Sequence, residues 1–136
     1  MERITQLIAD LTEYDSIAEG LKAGKSPVEV TGLAPIHKAN LTAALAGQLH
    51  KQAVVICADD LACSRMARDL EAFSERPVEI LPAREFVFHN IESSSREYEH
   101  KRISALRNLR LGKKTIVTTV PALLMATMPP EKMQEA

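Results

Sequence analysis

Four short runs of β-branched and apolar residues recur along the chain, and this alternation constrains its fold more than any other feature. Long stretches with helical periodicity separate the runs, so the expected order of elements is β-α-β-α-β-α-β. Two of the runs are almost entirely apolar, which is typical of parallel strands with helices on both faces. The sequence therefore predicts an α/β fold with three layers and a mostly parallel sheet of about four strands. The predicted strands are residues 28–31 (VEVT), 53–57 (AVVIC), 78–81 (VEIL) and 115–119 (TIVTT).

We expect a helical start, one α/β domain and a brief tail. From Ile4 onward, apolar residues recur at i, i+3, i+4 and i+7, so residues 1–27 should be a helical segment that packs on the domain. Residues 28–128 form the predicted α/β domain. Residues 129–136 begin with two prolines and contain no strand pattern, so we expect them to be a truncated linker toward a next domain.

Local signals indicate where three of the helices begin and end. Asp59 or Asp60 can cap the helix that follows the second strand. A serine within 93–95 can cap a helix that runs to about Leu111, which Gly112 should end. Pro121 suits the first turn of a last short helix. The first of these helices has an apolar stripe, expected to face the core, formed by Leu61, Met66, Leu70 and Phe73.

The stretch after the first predicted strand resembles a nucleotide-binding loop that has lost part of its chemistry. In the P-loop pattern G-x-x-x-x-G-K-[ST], glycines let backbone N–H groups surround phosphates, and the hydroxyl binds Mg²⁺. Gly32 and Lys38 fit this pattern, but His37 replaces the second glycine and Ala39 replaces the hydroxyl residue. Pro35 removes a further N–H donor. We therefore predict a degenerate P-loop topology, of the helicase or RecA-like kind, that binds no cofactor.

Two other interpretations of the chain stay open. If the departures in the loop are tolerated, the chain is a P-loop ATPase fragment with weak nucleotide binding, in which Lys38 meets a phosphate. A lysine in the first turn of a helix more often points to water, however. The third interpretation, a free-standing doubly wound binding protein, rests on the fold pattern alone.

Composition argues against several classes of function. Seventeen basic and 18 acidic residues give a formal net charge of −1, so we expect this chain to bind DNA weakly or not at all. The histidines lack the spacing of a zinc site, so we expect no metal. Cys57 and Cys63 should be reduced thiols that pack as small apolar groups. Charges interrupt the apolar residues at the start, unlike a signal peptide or membrane span, so we expect a cytoplasmic protein.

A loop after the third predicted strand contains the best candidates for contact with a partner. Aromatic residues beside an arginine have the composition of a contact patch. The sequence supports equally well the alternative that both phenylalanines fold back on the sheet. The candidate residues are Arg84, Phe86, Phe88 and His89.

Arg102 is a charged residue on the apolar side of its predicted helix. On a helical wheel it falls near Tyr98 and Leu106, inside the apolar arc, and Glu99 is close enough to be its partner. Charges are kept in such positions only when they are paired. We therefore predict a structural ion pair between Glu99 and Arg102.

Four consecutive blocks of the sequence share their order and spacing with a known family. The blocks are residues 30–46 (VTGLAPIHKANLTAALA), 53–73 (AVVICADDLACSRMARDLEAF), 78–90 (VEILPAREFVFHN) and 101–130 (KRISALRNLRLGKKTIVTTVPALLMATMPP). Together they cover nearly the whole chain and resemble the amino-terminal, UvrB-like domain of bacterial transcription-repair coupling factors, the Mfd family.

The resemblance implies a role in transcription-coupled nucleotide excision repair. Members of the family displace RNA polymerase stalled at DNA damage with an ATP-driven DNA translocase, and they recruit UvrA through the UvrB-like module. The motor, with its ATP and Mg, lies elsewhere in the full-length protein, so this chain is expected to be no enzyme and to have no catalytic residues. Its expected partner is the remainder of the same polypeptide, including a UvrA-binding domain that follows. UvrA, RNA polymerase and DNA are expected partners of the full-length protein, and no membrane is expected.

The chain also departs from UvrB in one connection. UvrB has a long β-hairpin that inspects DNA where this chain has residues 82–95, which are too few for such a hairpin. The leading hypothesis is therefore a non-catalytic scaffold and interaction domain that supports UvrA recruitment.

Overall fold

The computed structural model describes residue 8, residues 10–83, residues 91–127 and residue 129, with all of their side chains except those of residues 91–96. Within these residues the chain forms five helices and three strands. In chain order they are α1 (Thr12–Lys22), α2 (Pro35–Gln48), β1 (Val54–Cys57), α3 (Asp60–Phe73), β2 (Val78–Leu81), α4 (Ile91–Leu111), β3 (Thr115–Thr119) and α5 (Val120–Leu124).

The three strands form one open, parallel sheet in the order β1-β3-β2. In its register, Ile116 of the central strand lies between Val54 of β1 and Glu79 of β2. Every residue of β3 is buried. The Thr118 hydroxyl lies in this interior and donates a hydrogen bond to the Leu81 carbonyl at 3.0 Å. The predicted mixture of helices with a parallel sheet is therefore confirmed.

The sheet has three strands rather than the predicted four. Residues 28–31 are extended but pair with no strand, and Val28 and Val30 remain 38% and 39% exposed. Their alternating pattern favours an extended backbone, yet a strand forms only where a neighbour offers free N–H and C=O groups. In the described residues no strand leads into α2, so the P-loop topology predicted from the sequence is not established.

Helices α2 and α3 cover one face of the sheet. The main core cluster lies between them and the strands, and it combines Leu70 of α3 with Val117 of β3. Val55 and Cys57 of β1 pack against this cluster, as do Met66 and Phe73 of α3. The first layer and the sheet thus share one apolar core.

Helix α4 covers the opposite face, on the side of β2 and β3. Ala105 of α4 packs against Leu81 and Ile116 in a second cluster. Beside this cluster the Glu79 carboxylate binds α4 directly, because it accepts hydrogen bonds from Ser104 Oγ and Asn108 Nδ2, both at 2.7 Å. Lys114 Nζ lies 3.1 Å from the same carboxylate. Apolar and polar contacts therefore fix the third layer together.

The predicted helix ends and caps agree with the structure in most places. Asp59 is the N-cap of α3, and its Oδ1 accepts the Ala62 N–H at 2.7 Å. Gly112 follows α4 with a φ of 64°, a conformation that favours glycine. Pro121 lies in the first turn of α5. The stripe of α3 differs in one respect: Leu61 is 61% exposed instead of buried.

Arg102 lies in the interior, but its partners differ from the predicted one. It is 7% exposed, and its guanidinium donates to the carbonyls of Pro82 at 3.0 Å and Ala122 at 2.9 Å. Glu99 is exposed, and the salt bridges found within the described side chains do not include it. Carbonyls on neighbouring segments accept hydrogen bonds from the guanidinium in place of a carboxylate.

None of the described helices combines the length and the apolar composition needed to cross a membrane.

Candidate functional site

The degenerate loop leads into α2 without forming a phosphate cradle. Gly32 has a φ of 79° and is exposed, and the helix starts at Pro35, which has no N–H. The N–H groups of His37 and Lys38 both donate to the Ala34 carbonyl, at 3.0 and 3.1 Å. Donors used inside the first turn of the helix are not directed at an external anion.

Ala39 occupies the position at which the P-loop pattern requires a hydroxyl residue. Its side chain is fully buried, and it belongs to the main core cluster with Cys63 and Leu70. A hydroxyl residue would bring a polar group into that apolar environment, at a cost of about 1–3 kcal/mol if the group found no partner. The position that would help to bind Mg²⁺ in an intact loop therefore serves to pack α2 against α3.

A groove of about 540 Å³ opens beside this loop, at the carboxyl end of β1 and between α2 and α3. The end of β1 forms its floor through Val55, Ile56 and Cys57. Helix α2 supplies Pro35, Lys38 and Thr42 to one wall. The other wall is the start of α3 with the residues just before it: Ala58, Asp59, Leu61, Ala62, Arg65, Met66 and Asp69.

Two of the polar groups around the groove are already used inside the helices. The Thr42 hydroxyl donates to the Lys38 carbonyl at 2.8 Å, and the Asp59 carboxylate caps α3. The groove is lined by two positive charges, on Lys38 and Arg65, and by two negative charges, on Asp59 and Asp69. The groove therefore combines an apolar floor with walls that carry charges of both signs.

One side of β1 continues the apolar surface beyond the groove. Helix α4 covers its face of the sheet over β2 and β3 but not over β1. Val54 and Ile56 of β1 point to that face, and they are 44% and 55% exposed. Among the strands that the structure describes, β1 is also an edge strand, so one row of its backbone N–H and C=O groups has no described strand beside it. Parallel strands are ordinarily covered on both faces, so this surface has the character of an interface.

The structure separates the candidate residues that the sequence indicated. Gly32, His37 and Lys38 are exposed, whereas Ala39 is in the core. The predicted contact residues Arg84, Phe86, Phe88 and His89 lie outside the described residues. Among the part that is described, no group of three or more His, Cys, Asp or Glu side chains could hold a metal ion.

Sequence reasoning missed the groove. Ile56 sits in an uninterrupted apolar run, which predicts burial on both sides and does not tell which side lacks a covering helix. Leu61 falls on the apolar stripe of α3, but it lies in the first turn, beyond the end of the sheet core. Only the folded structure distinguishes a leucine in the core from one that lines a groove.

Comparison with known proteins points to one relative. The chain is 26% identical to the transcription-repair-coupling factor of Bacillus subtilis (strain 168) over 131 residues, which is 96% of this chain and 11% of that protein's length. No protein-family model matches the chain. No solved structure matches it either. The similarity supports a relation between this chain and one part of a transcription-repair-coupling factor.

Proposed function

We propose that this chain is a non-catalytic scaffold and interaction part of a transcription-repair coupling factor, within a UvrB-like module that supports UvrA recruitment. In this role it binds no nucleotide and carries no catalytic residue. Its immediate partner is the remainder of the same polypeptide, and UvrA, RNA polymerase and DNA are partners of the whole protein. The similarity along 96% of the chain supports the assignment to this family.

The observation that carries the proposal is the burial of Ala39 beside an uncovered apolar groove. The helix that would bind a nucleotide is instead packed through Ala39 into the core. Next to it, the exposed Ile56 and Leu61 and the free edge of β1 offer a surface for packing. The relative is far longer than this chain, so that protein has further polypeptide that could cover such a surface. This combination favours a supporting role over a chemical one.

Recruitment of UvrA provides the direct test. We expect immobilised UvrA to retain a longer polypeptide that includes the following domain and not to retain residues 1–136 alone, because a stable interface needs at least about 1,000 Å² with a central anchor cluster. If residues 1–136 bind UvrA at micromolar strength and Phe86→Ala with Phe88→Ala abolishes the binding, the supporting role is refuted and that loop is the contact.

A groove variant tests the proposed packing within the longer polypeptide. Leu61→Asp places a charge in the groove and should weaken the association of this domain with the rest, which limited proteolysis would detect as faster cleavage between them. Ile103→Asp is the matched control, because Ile103 is also exposed, at 48%, but lies on α4 outside the groove. Equal cleavage of both variants would argue against the groove as the packing surface.

The alternative function is weak nucleotide binding, and the exposed Lys38 beside Gly32 is the observation in its favour. Titration calorimetry with MgATP separates the two functions. We expect no heat of binding from the isolated chain at micromolar concentrations. A saturable signal that Lys38→Ala removes would establish the alternative.

A further inference from the structure

Two thiols lie together where β1 ends and α3 begins. Cys57 is the last residue of β1, and Cys63 lies in the first turns of α3. Cys63 belongs to the main core cluster, and Cys57 packs against that cluster. Both are free cysteines. The strand and the helix thus bring the side chains to the same small region, although the function proposed above uses neither sulfur.

The two sulfurs differ in access to solvent. Cys63 is 1% exposed, beneath the helix. Cys57 is half-buried and forms part of the groove floor, so a small molecule that enters the groove reaches its sulfur first. The surrounding groove residues Ile56, Leu61 and Met66 are apolar. A protein-sized reagent would not reach Cys63 without opening α3.

The surroundings of Cys63, including the neighbouring thiol, alter its chemistry. The pKa of Cys63 is raised to about 12, chiefly by burial and then by charge repulsion and side-chain hydrogen bonding from the neighbouring Cys57 thiol. Asp60 adds a smaller effect in the same direction. The Cys63 thiolate is therefore scarce at neutral pH, which makes its reactions slow.

We propose that Cys57 and Cys63 are an oxidation site that forms a reversible intramolecular disulfide with a hydroperoxide as the oxidant. The Cys57 sulfur attacks the peroxide, the O–O bond breaks, and Cys57 sulfenic acid forms with release of water or an alcohol. Cys63 sulfur then attacks the sulfenic sulfur, the S–O bond breaks, and a second molecule leaves as water. The two thiols lose one electron each, and the peroxide gains two. A dithiol reductant reverses the reaction.

The product would tie the end of β1 to α3 across the floor of the groove. Because Cys63 reacts slowly, the sulfenic acid on Cys57 should persist long enough to be trapped. The fate of this intermediate distinguishes a paired site from two unrelated thiols, since only a paired Cys63 converts the sulfenic acid into an internal disulfide.

Mass spectrometry of the folded chain after treatment with hydrogen peroxide tests the proposal. We expect an intact monomer that has lost two hydrogens and a cross-linked peptide pair containing Cys57 and Cys63, both restored by dithiothreitol. When dimedone is present during oxidation, its adduct should appear on Cys57. Cys63→Ala should abolish the disulfide and at least double the dimedone adduct, and Cys57→Ala should abolish both products.

The wild-type chain alone can overturn the proposal, so the test does not depend on the variants folding. If peroxide converts Cys57 to sulfinic or sulfonic acid while Cys63 stays a free thiol, the two sulfurs are not a functional pair. Disulfide-linked dimers through Cys57 without the internal bond would equally refute it. The same treatment in denaturant provides the reference in which both thiols are accessible.

Discussion

The guanidinium of Arg102 joins three separate segments at one point inside the molecule. It reaches from α4 to the carbonyl of Pro82, just after β2, and to that of Ala122 in α5, with a longer contact of 3.5 Å to the Met125 carbonyl. Tyr98 reinforces the same place by donating its hydroxyl to Pro82 at 3.1 Å. The buried Ala122 carbonyl depends on Arg102 for this hydrogen bond, whereas the Pro82 carbonyl also accepts one from Tyr98.

Replacement of Arg102 should therefore be costly. We expect Arg102→Ala to lower the free energy of unfolding by about 3 kcal/mol, because it removes the donor to the buried Ala122 carbonyl and opens a cavity. Arg107→Ala, on an exposed position of the same helix, should change it by less than about 0.5 kcal/mol. Urea unfolding followed by circular dichroism measures both. Equal losses would mean that helix propensity, and not the buried hydrogen bonds, sets the effect.

Glu79 should make stability depend on pH in the acid range. Burial acts to raise its pKa, but hydrogen bonds from Ser104, Lys114 and Asn108 outweigh burial and hold the pKa below its usual value. A carboxyl whose pKa is lower in the folded state stabilises the protein above the unfolded pKa of about 4.3. That contribution is lost as the pH falls through the lowered pKa, because the group must then be protonated.

We expect the urea midpoint of the wild-type chain to fall as the pH is lowered from 5 to 3, a window that spans about one pH unit on either side of the unfolded pKa. Glu79→Gln should be less stable than wild type at pH 7 and should show a smaller fall. Glu71→Gln, on the exposed side of α3, should follow the wild-type curve. A Glu79→Gln curve parallel to that of wild type would show that another group controls the acid transition.

At the level of the elements, α3 offers two leucines with opposite environments. Leu70 is fully buried in the main cluster, and Leu61 is 61% exposed on the wall of the groove. Leu70→Ala should cost about 2–5 kcal/mol of stability through lost burial and the cavity left behind. Leu61→Ala should cost less than about 1 kcal/mol, because little of its surface leaves water on folding. Thermal and urea unfolding of the two variants would compare them, and a reversed order would place the core on the wrong side of α3.

Local signals predicted the element boundaries well because they act over a few residues. Each of these signals meets a local requirement of the backbone that is visible in the sequence. Asp59 accepts a free N–H at the start of α3, Gly112 adopts a positive φ after α4, and Pro121 lies in the first turn of α5, where its missing N–H costs nothing. Start positions were less accurate, since α4 already begins at Ile91 and not at a serine within 93–95. A cap is one way among several to start a helix, and the sequence alone does not choose among them.

At the scale of the whole molecule, charge predicts weak interaction with nucleic acid. The formal net charge is −1, and in the most basic stretch, residues 107–114, Lys114 is already paired with Glu79. We expect no shift of duplex DNA by micromolar protein at low salt. Tight binding with a steep salt dependence would contradict this expectation, and its loss in Lys113→Glu would assign it to that stretch.

The parts of the fold and site that the sequence did not predict are those set by neighbours distant along the chain. The parallel sheet and its covering helices follow from apolar runs and periodicity. The status of residues 28–31 depends on whether an edge is available to pair with them, and the exposure of Ile56 depends on how far α4 reaches across the sheet. The predicted partner of Arg102 was the nearest opposite charge in sequence, whereas the actual partners are carbonyls on other segments.

The strand order β1-β3-β2 has a consequence for how the chain emerges during synthesis. The central strand is the last of the three to be made, so neither β1 nor β2 has a hydrogen-bonding neighbour until Thr115–Thr119 leaves the ribosome. Helices α2 and α3 can form earlier because their hydrogen bonds are local. A nascent chain that ends before Thr115 therefore exposes two unpaired apolar strands, the kind of surface that chaperones bind. The sheet forms only when β3 inserts between β1 and β2.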